Sequence, residues 1–170
     1  MTMTKNVVHE MNQKDDPMDA IFGWWEEIKV HRGDRAELRR CRTPAEVAFV
    51  PAYYRLKAAL PTWDREKLAV IAGTLAHVET NAENIKIAEQ FARPRDGGTT
   101  ARVSEARFRR LLRVEDDDYA ELFSMMKRLI LMVDRKANIP SLVWGLYRWN
   151  PRTKRAWAEA YYTNIQTNKE

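Results

Sequence analysis

Residues 101–133, ARVSEARFRRLLRVEDDDYAELFSMMKRLILMV, can bury their apolar side chains in one way. At roughly 100° per residue, Phe108, Leu111 and Leu112 share one arc of a helix. Arg107, Arg109, Arg110 and Arg113 spread over the remainder, so they must face away from the core. After the acidic run Asp116–Asp118, the residues Leu122, Met126, Leu129, Ile130 and Val133 repeat the pattern as a second buried stripe, with Lys127 and Arg128 towards its other side. Ser104 and the Asp116–Asp118 run supply N-caps, and acid there suits the positive end of the helix dipole.

The rest of the chain obeys the same grammar. Asp16-Pro17 opens a helix bearing Met18, Ile21, Phe22, Trp25 and Ile28, and Gly33 is expected to break it. Asp34 and Glu37 have capping-box spacing for a short helix. Thr43-Pro44 with Glu46 repeats that signal, Pro51 starts a third short helix, and Pro61 ends it. Asp64 caps a longer helix through Leu75, and Asn81 to Phe91 reads as a further one. Pro140 and Asn150-Pro151 open the last two. Six Gly and seven Pro are few for an all-β chain of 170 residues. The expectation is all-α: about eight to nine helices in two small packed bundles, elongated overall. Residues 1–15 read as a flexible tail without the apolar run of a signal peptide. Residues 16–91 read as an N-terminal half, 92–103 as a Gly-Gly-containing linker, and 104–170 as a C-terminal half.

Charge points to a polyanion. Residues 1–100 carry 15 basic and 15 acidic side chains, whereas residues 101–170 carry 14 and 9, so the net +5 lies in the last 70 residues. Of the 29 basic residues 19 are Arg, whose planar fork fits phosphate oxygens. Four clusters stand out: Arg39-Arg40-Arg42, Arg107-Arg109-Arg110-Arg113, Lys127-Arg128 and Arg152-Lys154-Arg155. The last is informative, because cations at a helix N-terminus oppose the dipole yet suit a phosphate site. No zinc finger, leucine zipper or evident helix-turn-helix is present, so backbone contacts without sequence preference are expected. Trp24, Trp25, Trp144, Trp149 and Trp157 could stack bases, but their helical spacing reads as core.

Catalytic constellations are missing from the sequence. His9, His31 and His77 have no metal-ligand spacing, there is no P-loop, and Asp116–Asp118 reads as a capping loop and not a metal site. His77 near Glu79 is the one conceivable acid–base pair, and a core or surface histidine is the simpler reading. Cys41 is the only cysteine, which excludes an intrachain disulfide and fits a reducing cytoplasm. No run approaches the ~20 apolar residues of a membrane span. No cofactor is expected.

Three segments occur in order: GDRAELRRCRTPAEVAFVPAYYRL, ARVSEARFRRLLRVEDDDYAELFSMMKRLI and WGLYRWNPRTKRAWAEAYY. Together, across about Trp24 to Tyr162, the chain resembles the CasB family, the small subunit of the type I-E CRISPR surveillance complex, Cascade. The resemblance implies an all-helical protein without enzymatic activity, present in two copies beside the guide RNA and the Cascade backbone and large subunits. Its basic surface would hold target DNA and the displaced strand in the R-loop, in antiviral defence. By motif, Arg40 matches the second Arg of the LRR segment, Arg107 and Arg113 the basic positions around RF..LLR, and Arg128 the KRL helix. Arg152 lies in the turn after the Trp-rich helix, and Arg65 follows PTWD. Pro151 departs from the pattern, where other members carry a basic residue. With their cluster neighbours Arg39, Arg110, Lys127 and Lys154, these are the nucleic-acid-binding candidates. The alternative is a helical scaffold whose basic faces bind acidic proteins; a nuclease built on His77 is a third reading.

Overall fold

A computed structural model describes residues 16–167, which form ten helices and one pair of two-residue strands. The all-α expectation therefore holds. The tail at residues 1–15 lies outside the described residues. The first half comprises α1 (Pro17–Val30), α2 (Arg32–Arg40), α3 (Pro44–Val47), α4 (Pro51–Ala59), α5 (Arg65–Leu75), β1 (Thr80–Asn81) and α6 (Ile87–Ala92). After the loop come α7 (Glu105–Leu112), α8 (Tyr119–Met132), β2 (Lys136–Ala137), α9 (Ile139–Tyr147) and α10 (Pro151–Thr167).

Local chemistry accounts for most helix starts. The side chains of Asp16, Thr43, Asp64, Ser104, Asp118, Asn138 and Asn150 each accept a backbone N–H of the first turn. Three expectations fail. The first helix breaks at His31, whose backbone is non-helical (φ −86°, ψ 82°), and Gly33 sits inside the first turn of α2. Glycine is tolerated there because α2 is tied down from outside. Asp34, expected as a cap, instead accepts from Arg55 at 2.6 Å, and Arg55 also pairs with Glu27 at 2.8 Å, linking α1, α2 and α4. Finally, Asn81–Phe91 is helical only from Ile87. Thr80 and Asn81 pair in parallel with Lys136 and Ala137 instead, and Asn81 Oδ1 accepts from the backbone N–H of Ile139 at 2.9 Å.

Helix α5 is the axis of the molecule. Every residue from Leu68 to Leu75 is buried, as expected for a helix apolar all round. It packs against α3, α4, α8 and α9. Gly73 lies against the Phe123 ring of α8, where an added Cβ would overlap it. Helix α10 packs along α6, and Trp157 of α10 fills the space left by Gly145 of α9. Buried Gln90 of α6 donates to Lys136 O at 2.9 Å and accepts from the Asn138 N–H at 3.0 Å, so its burial leaves no polar atom orphaned. The buried side chains form one contiguous core drawn from both sides of the loop after α6. That loop closes on itself through a bridge between Pro94 and Ala101. Gly97 takes φ +77°, which a glycine adopts without strain.

Candidate nucleic-acid interface

Two rings anchor α7. Phe108 is fully buried and stacks on Tyr161 of α10, centroids 3.9 Å apart and 14° from parallel. The Tyr161 hydroxyl donates to Val103 O at 2.6 Å, and burial pushes its pKa up to about 12. Seated this way, α7 turns Arg107, Arg109, Arg110 and Arg113 to solvent. Arg109 is occupied by Glu105 at 2.6 Å and by the Tyr162 hydroxyl at 3.4 Å. Arg107 and Arg110, three residues apart on one side of α7, line a cleft of about 90 Å³ together with Arg128 of α8. Met125, Leu129 and Met132 supply its apolar lining and Glu121 its one carboxylate. Among the described residues none of the three arginines has an ion pair. Three like charges on one cleft repel one another, and a polyanion would relieve that repulsion.

The other candidates divide by direction. Adjacent helical residues diverge by about 100°, and the structure uses this in three pairs. Arg39 turns inward, donating to Ala76 O at 2.7 Å and to Glu79 at 3.3 Å, while Arg40 is exposed and has no ion pair among the described residues. Lys127 reaches Cys41 O at 3.1 Å across the Phe123 ring, while Arg128 faces out. Burial holds the Lys127 ammonium below its ordinary pKa, with nearby Arg128 and Arg42 adding to the effect. Lys154 donates to Val114 O at 2.6 Å and pairs with Asp116 at 2.7 Å, while Arg152 and Arg155 are exposed. That pairing offsets the dipole penalty of a cation at the α10 N-terminus, and it gives Asp116 a structural partner while Asp118 caps α8. No group of three or more potential metal ligands occurs among the described residues.

Lys127 thus joins the end of α2 to the middle of α8, with Arg42 near its ammonium. Arg113, at the C-cap of α7, is exposed and has no ion pair among the described residues. Arg65 borders a different groove of about 630 Å³ between α3, α4, α5 and the start of α8, and Arg152 stands at the α10 N-terminus. Neither lines the α7–α8 cleft. Arg148, exposed over the Trp144 ring at 4.6 Å, belongs to none of the sequence clusters, because one isolated arginine carries no pattern.

His77 does not pair with Glu79. Its two ring nitrogens are shut off from solvent and have no hydrogen-bond partner among the described residues. Burial, then Arg135, Arg39 and Lys127, pull its pKa down to about 4. The folded state therefore keeps the imidazole neutral where the unfolded chain, with a pKa near 6.5, takes up a proton. Stability from this site is present above about pH 6.5 and is lost as pH falls towards 4. The expected loss is on the order of 2 kcal/mol after discounting for partial exposure. Urea unfolding of wild type and His77→Leu at pH 7 and pH 4.5 checks this; the variant should lose less stability on acidification.

Among the described residues no helix is long and apolar enough to cross a membrane. No curated protein matches the chain in sequence. In fold the chain is similar to one chain of E. coli Cascade, in a crystal structure bound to a PAM-containing dsDNA target with a 32-nt spacer. The TM-score is 0.69 at 20% identity, covering 88% of this chain and 96% of that one. The model of the family described as CRISPR-associated protein Cse2 matches residues 34–162, which include α7, α8 and every candidate arginine. The chain belongs to the CRISPR-associated Cse2 family, the family its ordered motifs resemble under the name CasB.

Proposed function

We propose that this chain is a non-catalytic subunit of a type I-E Cascade complex that holds nucleic acid through arginine–phosphate contacts. The convergence of Arg107, Arg110 and Arg128 on one cleft carries the reading. Among the described residues these guanidiniums lack carboxylate partners, and they sit on helices with no zinc finger or leucine zipper to aim them at base edges. That is what a subunit needs when the guide RNA reads sequence by base pairing. Formation of an R-loop is a near-balanced exchange of duplexes, so a few phosphate contacts from this face are enough to tip it. The partners are target DNA and its displaced strand, the guide RNA, the Cascade backbone and large subunits, and a second copy of the chain. Arg65, Arg113 and Arg152 extend the contact beyond the cleft, whereas Arg39, Lys127 and Lys154 act chiefly by holding the surface in place.

The test is Cascade assembled with Arg40→Ala, Arg107→Ala, Arg128→Ala and Arg152→Ala together. Target DNA should dissociate at least tenfold faster, with assembly and guide RNA content unchanged. Wild-type retention would remove the assignment. Failure of assembly with intact folding would make the arginines a protein-binding face instead.

A further inference from the structure

We infer that Trp63, Trp144 and Tyr147 form a stacking platform for unpaired bases, separate from the arginine cleft. The inference rests on the nucleic-acid reading above and adds which form of nucleic acid this surface takes.

The platform is built where the α4–α5 turn meets α9. Trp63 lies in the turn, and Trp144 and Tyr147 stand three residues apart on one side of α9. The Trp63 ring is 5.4 Å from that of Trp144 and 4.3 Å from that of Tyr147, tilted by 41° and 43°. All three are half-buried. They differ from the core tryptophans in their polar atoms. Trp24, Trp25 and Trp149 are buried and donate their indole N–H groups to Ala52 O, Val78 O and Val114 O. Among the described residues, the indole N–H groups of Trp63 and Trp144 have no such partner. The only side-chain hydrogen bond of the trio is at Tyr147, whose hydroxyl accepts from the Asp64 N–H at 3.2 Å.

Two cations lie over the rings. Arg148 lies 4.6 Å from the centre of Trp144, and Lys67 lies 5.1 Å from that of Tyr147. Neither has a carboxylate partner among the described residues. Aromatic faces beside unpaired cations match a ligand that is flat, π-bearing and anionic, which describes a nucleotide better than an apolar peptide. A duplex hides its base faces, so only an unpaired strand can use this surface. Stacking is indifferent to base identity, which agrees with a subunit that reads no sequence.

The experiment titrates the full chain with labelled oligo-dT and with a duplex of equal length. In wild type, oligo-dT should quench tryptophan fluorescence. Trp63→Leu with Trp144→Leu should weaken oligo-dT binding at least about tenfold and leave duplex binding unchanged. As a readout that needs no variant, bromouracil-substituted oligo-dT photocrosslinked to wild type should attach at Trp63, Trp144 or Tyr147. Crosslinks found only elsewhere would overturn the platform. So would unchanged oligo-dT affinity in the double variant, equal losses for both probes, or impaired Cascade assembly with oligo-dT binding intact. If wild type bound neither probe, the nucleic-acid reading would fall and take the platform with it. If wild type bound both and the crosslinks lay elsewhere, the platform alone would fall.

Discussion

Reversing Arg107, Arg110 and Arg128 to glutamate should weaken target-DNA binding by the assembled complex about a hundredfold or more at near-physiological salt. Each guanidinium–phosphate contact is a charge-assisted hydrogen bond, contributing on the order of 1.5–3 kcal/mol. Reversal also replaces attraction by repulsion at the cleft. The salt dependence is the sharper readout. Each phosphate neutralised on duplex DNA contributes about 0.9 to the log–log slope, so the triple variant should lower the slope by nearly three. The fold should not suffer. All three side chains are exposed and have no ion-pair partner among the described residues, and such surface changes usually shift stability by less than about 0.5 kcal/mol. Their apolar neighbours Phe108, Leu111 and Leu129, which anchor the two helices, are untouched. A variant with wild-type affinity, or with lower affinity at an unchanged salt slope, would remove these arginines from the phosphate track.

Gly145→Ala should be the most damaging single-methyl change in the chain. A Cβ at this position would overlap the Trp157 ring. Trp157 has little room to retreat, since Trp149 packs edge-on at 5.4 Å and Phe91 at 6.1 Å. Helix propensity works in the opposite direction, favouring alanine by about 1 kcal/mol. Overpacking of this kind costs about 1–3 kcal/mol, and steric loss should win here because the obstacle is a rigid indole at a helix crossing. A net loss of up to about 2 kcal/mol corresponds to a fall of up to about 4–8 °C in Tm for a chain of this size. Gly73→Ala meets the Phe123 ring and the Val47 Cγ2 and should behave alike. Thermal unfolding decides the matter, and a double-mutant cycle of Gly145→Ala with Trp157→Phe assigns the cause. The smaller ring should recover part of the loss. A Gly145→Ala protein as stable as wild type would show that the α9–α10 crossing is looser than described.

Much of the fold was legible in the sequence because its signals are local. A cap acts within three residues, so Asp16, Thr43, Asp64, Ser104, Asp118 and Asn150 could be recognised one at a time. The stripe from Leu122 to Val133 needed only the period of a helix. Local signals failed where distant ones prevailed. Asn81 leaves helical geometry because Lys136 and Ala137 pair with its segment. Asp34 gives up capping because Arg55, 21 residues away, is a better partner.

The site divides in the same way. The excess of arginine, its four clusters and the need for α7 to expose them followed from residue types and a 3.6-residue period. Which member of each pair is free did not. Arg39 and Arg40 are equal in a sequence, as are Lys127 and Arg128, until the carbonyls of Ala76 and Cys41 capture one of each. The same holds for Trp144, whose spacing matches that of the buried tryptophans while the fold leaves its indole half-exposed between Trp63 and Arg148. Sequence alone determined that the chain is helical and that cations must face water, because both follow from spacing along one helix. Only the tertiary structure decided which cations stay free and meet in one cleft, because the carbonyls that hold Arg39, Lys127 and Lys154 lie some 40 to 90 residues away.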